Sequence, residues 1–176
     1  MSITKWSVDP THSEIGFKVK HMMFTNVSGN FSNFDATVTT NDDSFENAKF
    51  DFSADIDSVT TGNADRDNHI KGGDFFDAEK HPKMTFTSTA FIRKNEDNYT
   101  LKGNLTIAGV TKPVTLDVEF GGTAKDPWGN EKAGLSATGK LNRKDFGLNW
   151  NAALETRGVL VSEEVKLNIE LQFTKA

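Results

Sequence analysis

Apolar and polar residues alternate one by one through most of this chain. Lys49-Phe50-Asp51-Phe52-Ser53-Ala54-Asp55-Ile56 has the pattern, as do Tyr99, Leu101, Gly103, Leu105 and Ile107, then Val114, Leu116, Val118 and Phe120. Successive side chains of a strand point to opposite faces, so a period of two marks a strand with one wet and one dry side. The pattern predicts about eight strands, over 13–21, 27–38 with a break near Ser32-Asn33, 48–58, 84–92, 99–107, 114–120, 133–141 and 160–173. Turn-forming stretches at 41–43, 94–98, 108–113 and 125–130 separate several of them. Consecutive hairpins argue for an antiparallel meander, and closing it into a barrel removes the edges that an open sheet must protect.

One stretch breaks the rhythm. Asn63 suits a helix N-cap, 64–71 carries acids early and a cation late, and Gly72-Gly73 can end the turns, so a short helical segment is expected near residues 63–73. Phe75-Phe76 follows, with one ring expected to plug a barrel end.

The inward face mixes sizes. Ala48, Ala54, Ser88, Gly103, Ala133, Ala137 and Gly139 share parity with large apolar residues, among which the inward rings are Phe17, Phe31, Phe34, Phe50, Phe52, Phe86, Phe120 and Phe173. Two readings stay open: a solid core that alternates small and large, or a lumen that the small residues leave free. On the second, Gly103→Phe and Ala137→Phe should both fill space with modest loss of stability.

At 176 residues the chain is most simply one domain, 1–176, with one sizeable core. A net charge of −5 and the lack of a Lys/Arg stripe argue against nucleic acid as partner. The absence of cysteine removes disulfides, thiolate metal sites and a cysteine nucleophile together. No window approaches the roughly 18 apolar residues of a membrane span. The start, Met1-Ser2-Ile3-Thr4-Lys5-Trp6, has neither a basic n-region nor an apolar h-region, so the chain as written is expected to be cytoplasmic.

Catalytic and metal motifs are weak. Asp145-Phe146-Gly147 matches a kinase tripeptide without its glycine loop, lysine or catalytic loop. His12, His21, His69 and His81 lack ligand spacing, so neither a metal nor another cofactor is expected. The acids Asp65, Asp67, Asp74, Asp77 and Glu79 read as caps and solvated groups.

The irregular segments carry more information. Trp6-x-x-Asp9-x-x-His12-Ser13, Phe17 with His21-Met22, and Gly29-x-Phe31-x-x-Phe34 open an ordered series that continues through Arg66-Asp67-x-His69-Ile70-Lys71 and Asp74-Phe75-Phe76-Asp77. It runs on through His81-Pro82-x-Met84-Thr85-Phe86-x-Ser88, Gly103-x-Leu105-Thr106-Ile107-x-Gly109-Val110-Thr111-Lys112, Asn142-Arg143-Lys144-Asp145-Phe146-Gly147-Leu148 and Val161-Ser162-x-x-Val165. From Trp6 to about Lys175 this resembles the YceI family of bacterial polyisoprenoid-binding proteins. The resemblance implies an all-β fold, an extended eight-stranded antiparallel up-and-down β-barrel of lipocalin-like form. It also implies a long isoprenoid or other lipid tail in the lumen, no catalysis and a homodimer. Many relatives carry an export leader and reside in the periplasm. Where relatives often have Ser-Ile-Asp-Thr, this chain has Ser58-Val59-Thr60-Thr61 and lacks that carboxylate.

On this reading the tail contacts are the inward positions Phe17, Val19, His21, Phe31, Phe34, Phe50, Phe52, Phe86, Leu101, Leu105, Leu116, Val118, Leu167 and Ile169. Arg66, Lys71 and Arg143 are the cations placed to meet an anionic head group, at a wet mouth where Arg143→Ala should weaken binding by no more than about 1 kcal/mol. The same lumen would suit a fatty acid or fatty amide. An enzyme acting on a lipid head would draw on His21 or the acidic cluster.

Overall fold

The computed structural model describes residues 3–21, 25–41, 44–72, 76–148 and 163–175. Its strands are β1 (Ile3–Val8), β2 (Glu14–His21), β3 (Thr25–Phe31), β4 (Phe34–Asn41), β5 (Ser44–Asp55), β6 (Val59–Thr60), β7 (Lys83–Asn95), β8 (Asn98–Ile107), β9 (Val110–Lys125), β10 (Glu131–Asn142) and β11 (Glu164–Lys175). A single described helix, α1 (Ala64–Lys71), lies between β6 and β7. The sheet runs β1-β4-β5-β7-β8-β9-β10-β11 and closes where β11 pairs with β1, Phe173 opposite Val8. All these pairings are antiparallel, which makes an eight-stranded up-and-down barrel. Strands β2, β3 and β6 continue β1, β4 and β5 beyond kinks and extend the barrel on one side.

Three kinks in neighbouring staves let this extension bend. Pro10–His12 forms a 3-10 turn, Ser32-Asn33 interrupts the second stave, and Ile56–Ser58 turns the third. Backbone bonds tie the second and third together: the Ser32 amide donates to the Ser58 carbonyl at 3.2 Å and the Asp55 amide to the Asn33 carbonyl at 2.9 Å. The interruption expected at Ser32-Asn33 is thus a structural joint.

Asp9 holds the first joint. One carboxylate oxygen accepts from the Thr11 amide at 3.2 Å and hydroxyl at 2.5 Å, and the other meets His12 Nδ1 at 3.0 Å and Lys132 Nζ at 3.4 Å. These donors, Thr11 and His12 first, hold the carboxyl well below the usual carboxylate range. A depressed folded value means stability that is complete above the ordinary Asp pKa near 4 and is lost as pH falls towards the folded value. We expect Asp9→Asn to lose about 1–2 kcal/mol at neutral pH. Urea midpoints measured from pH 7 to pH 2 should show that gap closing in acid; a gap independent of pH would contradict it.

Several sequence expectations need correction. Strand β1 was not anticipated, because only Trp6 and Val8 turn inward in a segment whose Ile3 is 73% exposed. The connection expected over 108–113 is only Ala108-Gly109, both at positive φ (51° and 79°), which is the geometry of a two-residue hairpin turn. The turn sits on His81: a Cβ built on Gly109 would lie 2.9 Å from the ring's Cε1. Segment 160–162 lies outside the described residues, so only 164–173 of the last expected strand can be placed.

Two irregularities shift the inward face. Asn47 adopts φ 61°, so the buried residues of β5 run Phe45, Ala48, Phe50. A register shift between Ser88 and Ala90 turns Phe91 inward, although strict alternation from Phe86 would point it out. The Ser88 hydroxyl then accepts from the Phe50 amide at 2.8 Å.

Candidate functional site

The barrel has a solid end and a hollow one. The turns near 95–98 and 125–131 mark the solid end, where Trp6, Phe45, Phe91, Tyr99 and Phe120 form one chain of ring contacts. Towards the α1 end lies a cavity of about 570 Å³. Of the expected wall residues, Phe17, Val19, Phe31, Phe50, Phe52, Phe86, Leu101, Leu105, Leu116, Leu167 and Ile169 line it. Ala36, Met84, Ile107, Leu135, Leu171 and Phe173 complete much of the apolar surface.

Three expected positions fall outside the lining. Val118 is one inward step past Leu116, opposite Tyr99, and belongs to the solid end at 2% exposure. Phe34 is half-buried beside the Ser32-Asn33 joint and packs on the core without lining the cavity. Lys71 ends α1, where its carbonyl accepts from the Ala78 amide at 2.8 Å. His21 ends β2, but its side chain lies outside what is described, as do Asp74 and Phe75; Phe76 does line the cavity.

Most of the small residues do not make the space. Ala48, Ala54 and Ala133 are buried in the core away from the cavity, and the glycines are covered by neighbouring side chains. A Cβ on Gly103 would meet Phe86 Cε2 at 2.6 Å, and one on Gly139 would meet Leu116 Cδ2 at 2.5 Å. Gly29 likewise accommodates the Phe17 ring, whose Cε1 would be 2.9 Å from an added Cβ. Of the seven small positions, only Ala137 lines the cavity.

Polar groups gather at the α1 end. Apart from Asp51, whose side chain is on the solvent face, they are Thr61, Asp65, Arg66, His69 and Arg143. Asn63 caps α1 by accepting from the Arg66 amide at 3.0 Å, as expected, and Gly72 closes it. Arg66 donates Nε to the Thr61 hydroxyl at 2.7 Å and Nη2 to its carbonyl at 2.8 Å, while Asp67 accepts from the Thr61 amide and hydroxyl. Thr61 therefore anchors the helix beside the cavity, and Arg66 keeps further N–H donors.

Arg143 is the larger correction. It is 3% exposed, and its Nη1 donates to the Leu148 carbonyl at 2.6 Å. Burial pulls its guanidinium below the ordinary value, against an opposing push from Glu163. The turn that holds it explains the Asp145-Phe146-Gly147 tripeptide in structural terms: Asn142 caps it, Phe146 is buried, and Gly147 takes φ 78°. Among the described residues no group of His, Asp and Glu could hold a metal ion. None of the described helices is long and apolar enough to cross a membrane.

The profile of the YceI-like domain matches residues 6–173. The chain belongs to the YceI-like family. It is 37% identical over 173 residues to a UPF0312 protein of Staphylococcus aureus strain MSSA476, covering 98% of each chain. The YceI protein of Campylobacter jejuni is 39% identical over 88% of both chains, with a TM-score of 0.77. A polyisoprenoid binding domain from Saccharophagus degradans shares the fold at 16% identity, with a TM-score of 0.69, over 97% of this chain and 98% of its own. Of the residues that carry the family resemblance, Asp9, His12, Gly29, Gly103 and Gly109 sit at joints, turns and close contacts of the barrel, whereas Arg66, His69 and Arg143 line its cavity.

Proposed function

We propose that this YceI-like protein binds and carries a long-chain isoprenoid lipid without transforming it, the tail lying in the cavity and the head at the Thr61–Arg66–His69–Arg143 end. The observation that carries this reading is the continuous apolar wall from Phe50 and Leu135 up to α1, with polar groups confined to one end. That division suits an amphiphile and not a polar substrate. Each buried methylene contributes about 0.8 kcal/mol, so the tail supplies most of the affinity after ordering costs. The buried Arg143 favours a head with a hydrogen-bond acceptor. The polyisoprenoid binding domain with the same barrel is consistent with this ligand class.

Ala137→Phe tests the reading. Its ring would enter the cavity and displace tail contacts, so affinity for a prenyl lipid should drop at least about tenfold, while the fold persists with a change of about 1–3 kcal/mol from crowding. Lipid titration alongside thermal melting checks both. Unchanged affinity in a folded Ala137→Phe protein would place the ligand elsewhere.

A further inference from the structure

We propose that the barrel is a blind-ended ruler for tail length, with the Phe50–Phe91 contact as its floor. This rests on the lipid-binding reading above and adds a limit that an open lumen would not have. The lining ends at Phe50 on β5, Leu101 on β8, Leu116 on β9 and Leu135 on β10. The next inward residue on each, Ala48, Tyr99, Val118 and Ala133, is buried and takes no part in the lining.

What lies below is a connected stack. Phe50 meets Phe91 edge to face at 4.8 Å, Phe91 stacks on Tyr99 at 4.4 Å with the rings 2° from parallel, and Tyr99 continues to Phe120 at 6.2 Å. Phe120 meets Phe45 at 4.6 Å, and Phe45 meets Trp6 at 5.2 Å. Rings held on several sides behave as close-packed interior, and a tail gains little by prising them apart. The sequence builds this floor by bulging two strands so that Phe45 and Phe91 turn inward.

The space above the floor is about 570 Å³. It is closed below by the ring stack, so a tail longer than the distance from mouth to floor leaves its excess outside. The protein should therefore discriminate among otherwise identical lipids by length.

The probe is a series of all-trans prenyl alcohols of two to twelve isoprene units, titrated against the full chain. Affinity should rise by about tenfold or more per unit until the tail reaches the floor and then level or fall. Phe91→Ala should move that break to longer alcohols, and Ala137→Met to shorter ones. Should Phe91→Ala fail to fold, Phe91→Leu and Ala137→Met together carry the test. Affinity that keeps rising through twelve units, or a break that stays put in the folded variants, overturns the ruler while leaving lipid binding intact. Failure of every alcohol to bind overturns the lipid reading and the ruler with it.

Discussion

Gly103→Phe is expected to unfold or severely destabilise the barrel, and even Gly103→Ala should lose about 3 kcal/mol, at the upper end of what overpacking costs. The position faces inward on β8, but it is not free space. A Cβ there would come within 2.6 Å of both Phe86 Cε2 and the Thr87 carbonyl oxygen. The ring could swing aside at the expense of its own packing, whereas the carbonyl is part of the sheet and cannot. In a chain of this size that loss lowers the melting temperature by roughly 6–12 °C. Adding Phe86→Leu should recover the part due to the ring and leave the part due to the carbonyl. A Gly103→Ala protein that melts with the parent would show that the ring and strand yield more readily than this geometry allows.

Arg143→Ala should be the most damaging change at the cavity rim. The guanidinium is buried, fills space between the end of β10 and Leu148, and satisfies that residue's carbonyl. Truncation removes packing and leaves the carbonyl without this donor, a combined loss of about 2–4 kcal/mol. It should also weaken binding of a lipid with an anionic head by more than the 1 kcal/mol expected of a screened, exposed cation, because solvent does not screen this one. Comparing an anionic head and an alcohol head on one tail separates the two roles. An equal loss for both heads would make Arg143 purely structural, while loss confined to the anionic head would assign it to recognition.

Much of the barrel was legible in the amino-acid pattern because strand alternation is local. The meander, the Asn63-capped helix and eleven of the fourteen expected wall residues follow from a period of two plus turn and cap chemistry. What stayed hidden depends on bulges and on contacts distant in sequence. Nothing in strict alternation distinguishes Phe91 from an outward residue, although Asn47, of a type that readily takes left-handed backbone, was a usable signal that β5 changes face. The glycines misled in the opposite sense. A missing side chain on one strand does not tell whether a ring from the next has taken its place, as Phe86 does over Gly103. Arg143 was misjudged for the same reason: its polarity suggests solvent, and only the turn running to Leu148 brings it inside.

The most direct measurement is mass spectrometry of the organic extract of protein purified under native conditions. An apolar cavity of this volume should recruit an amphiphile from the host, so the extract should contain one long-tailed lipid species or a narrow set near one per chain. Lipid-free protein from several hosts, together with no uptake of prenyl lipid on addition, would contradict the account.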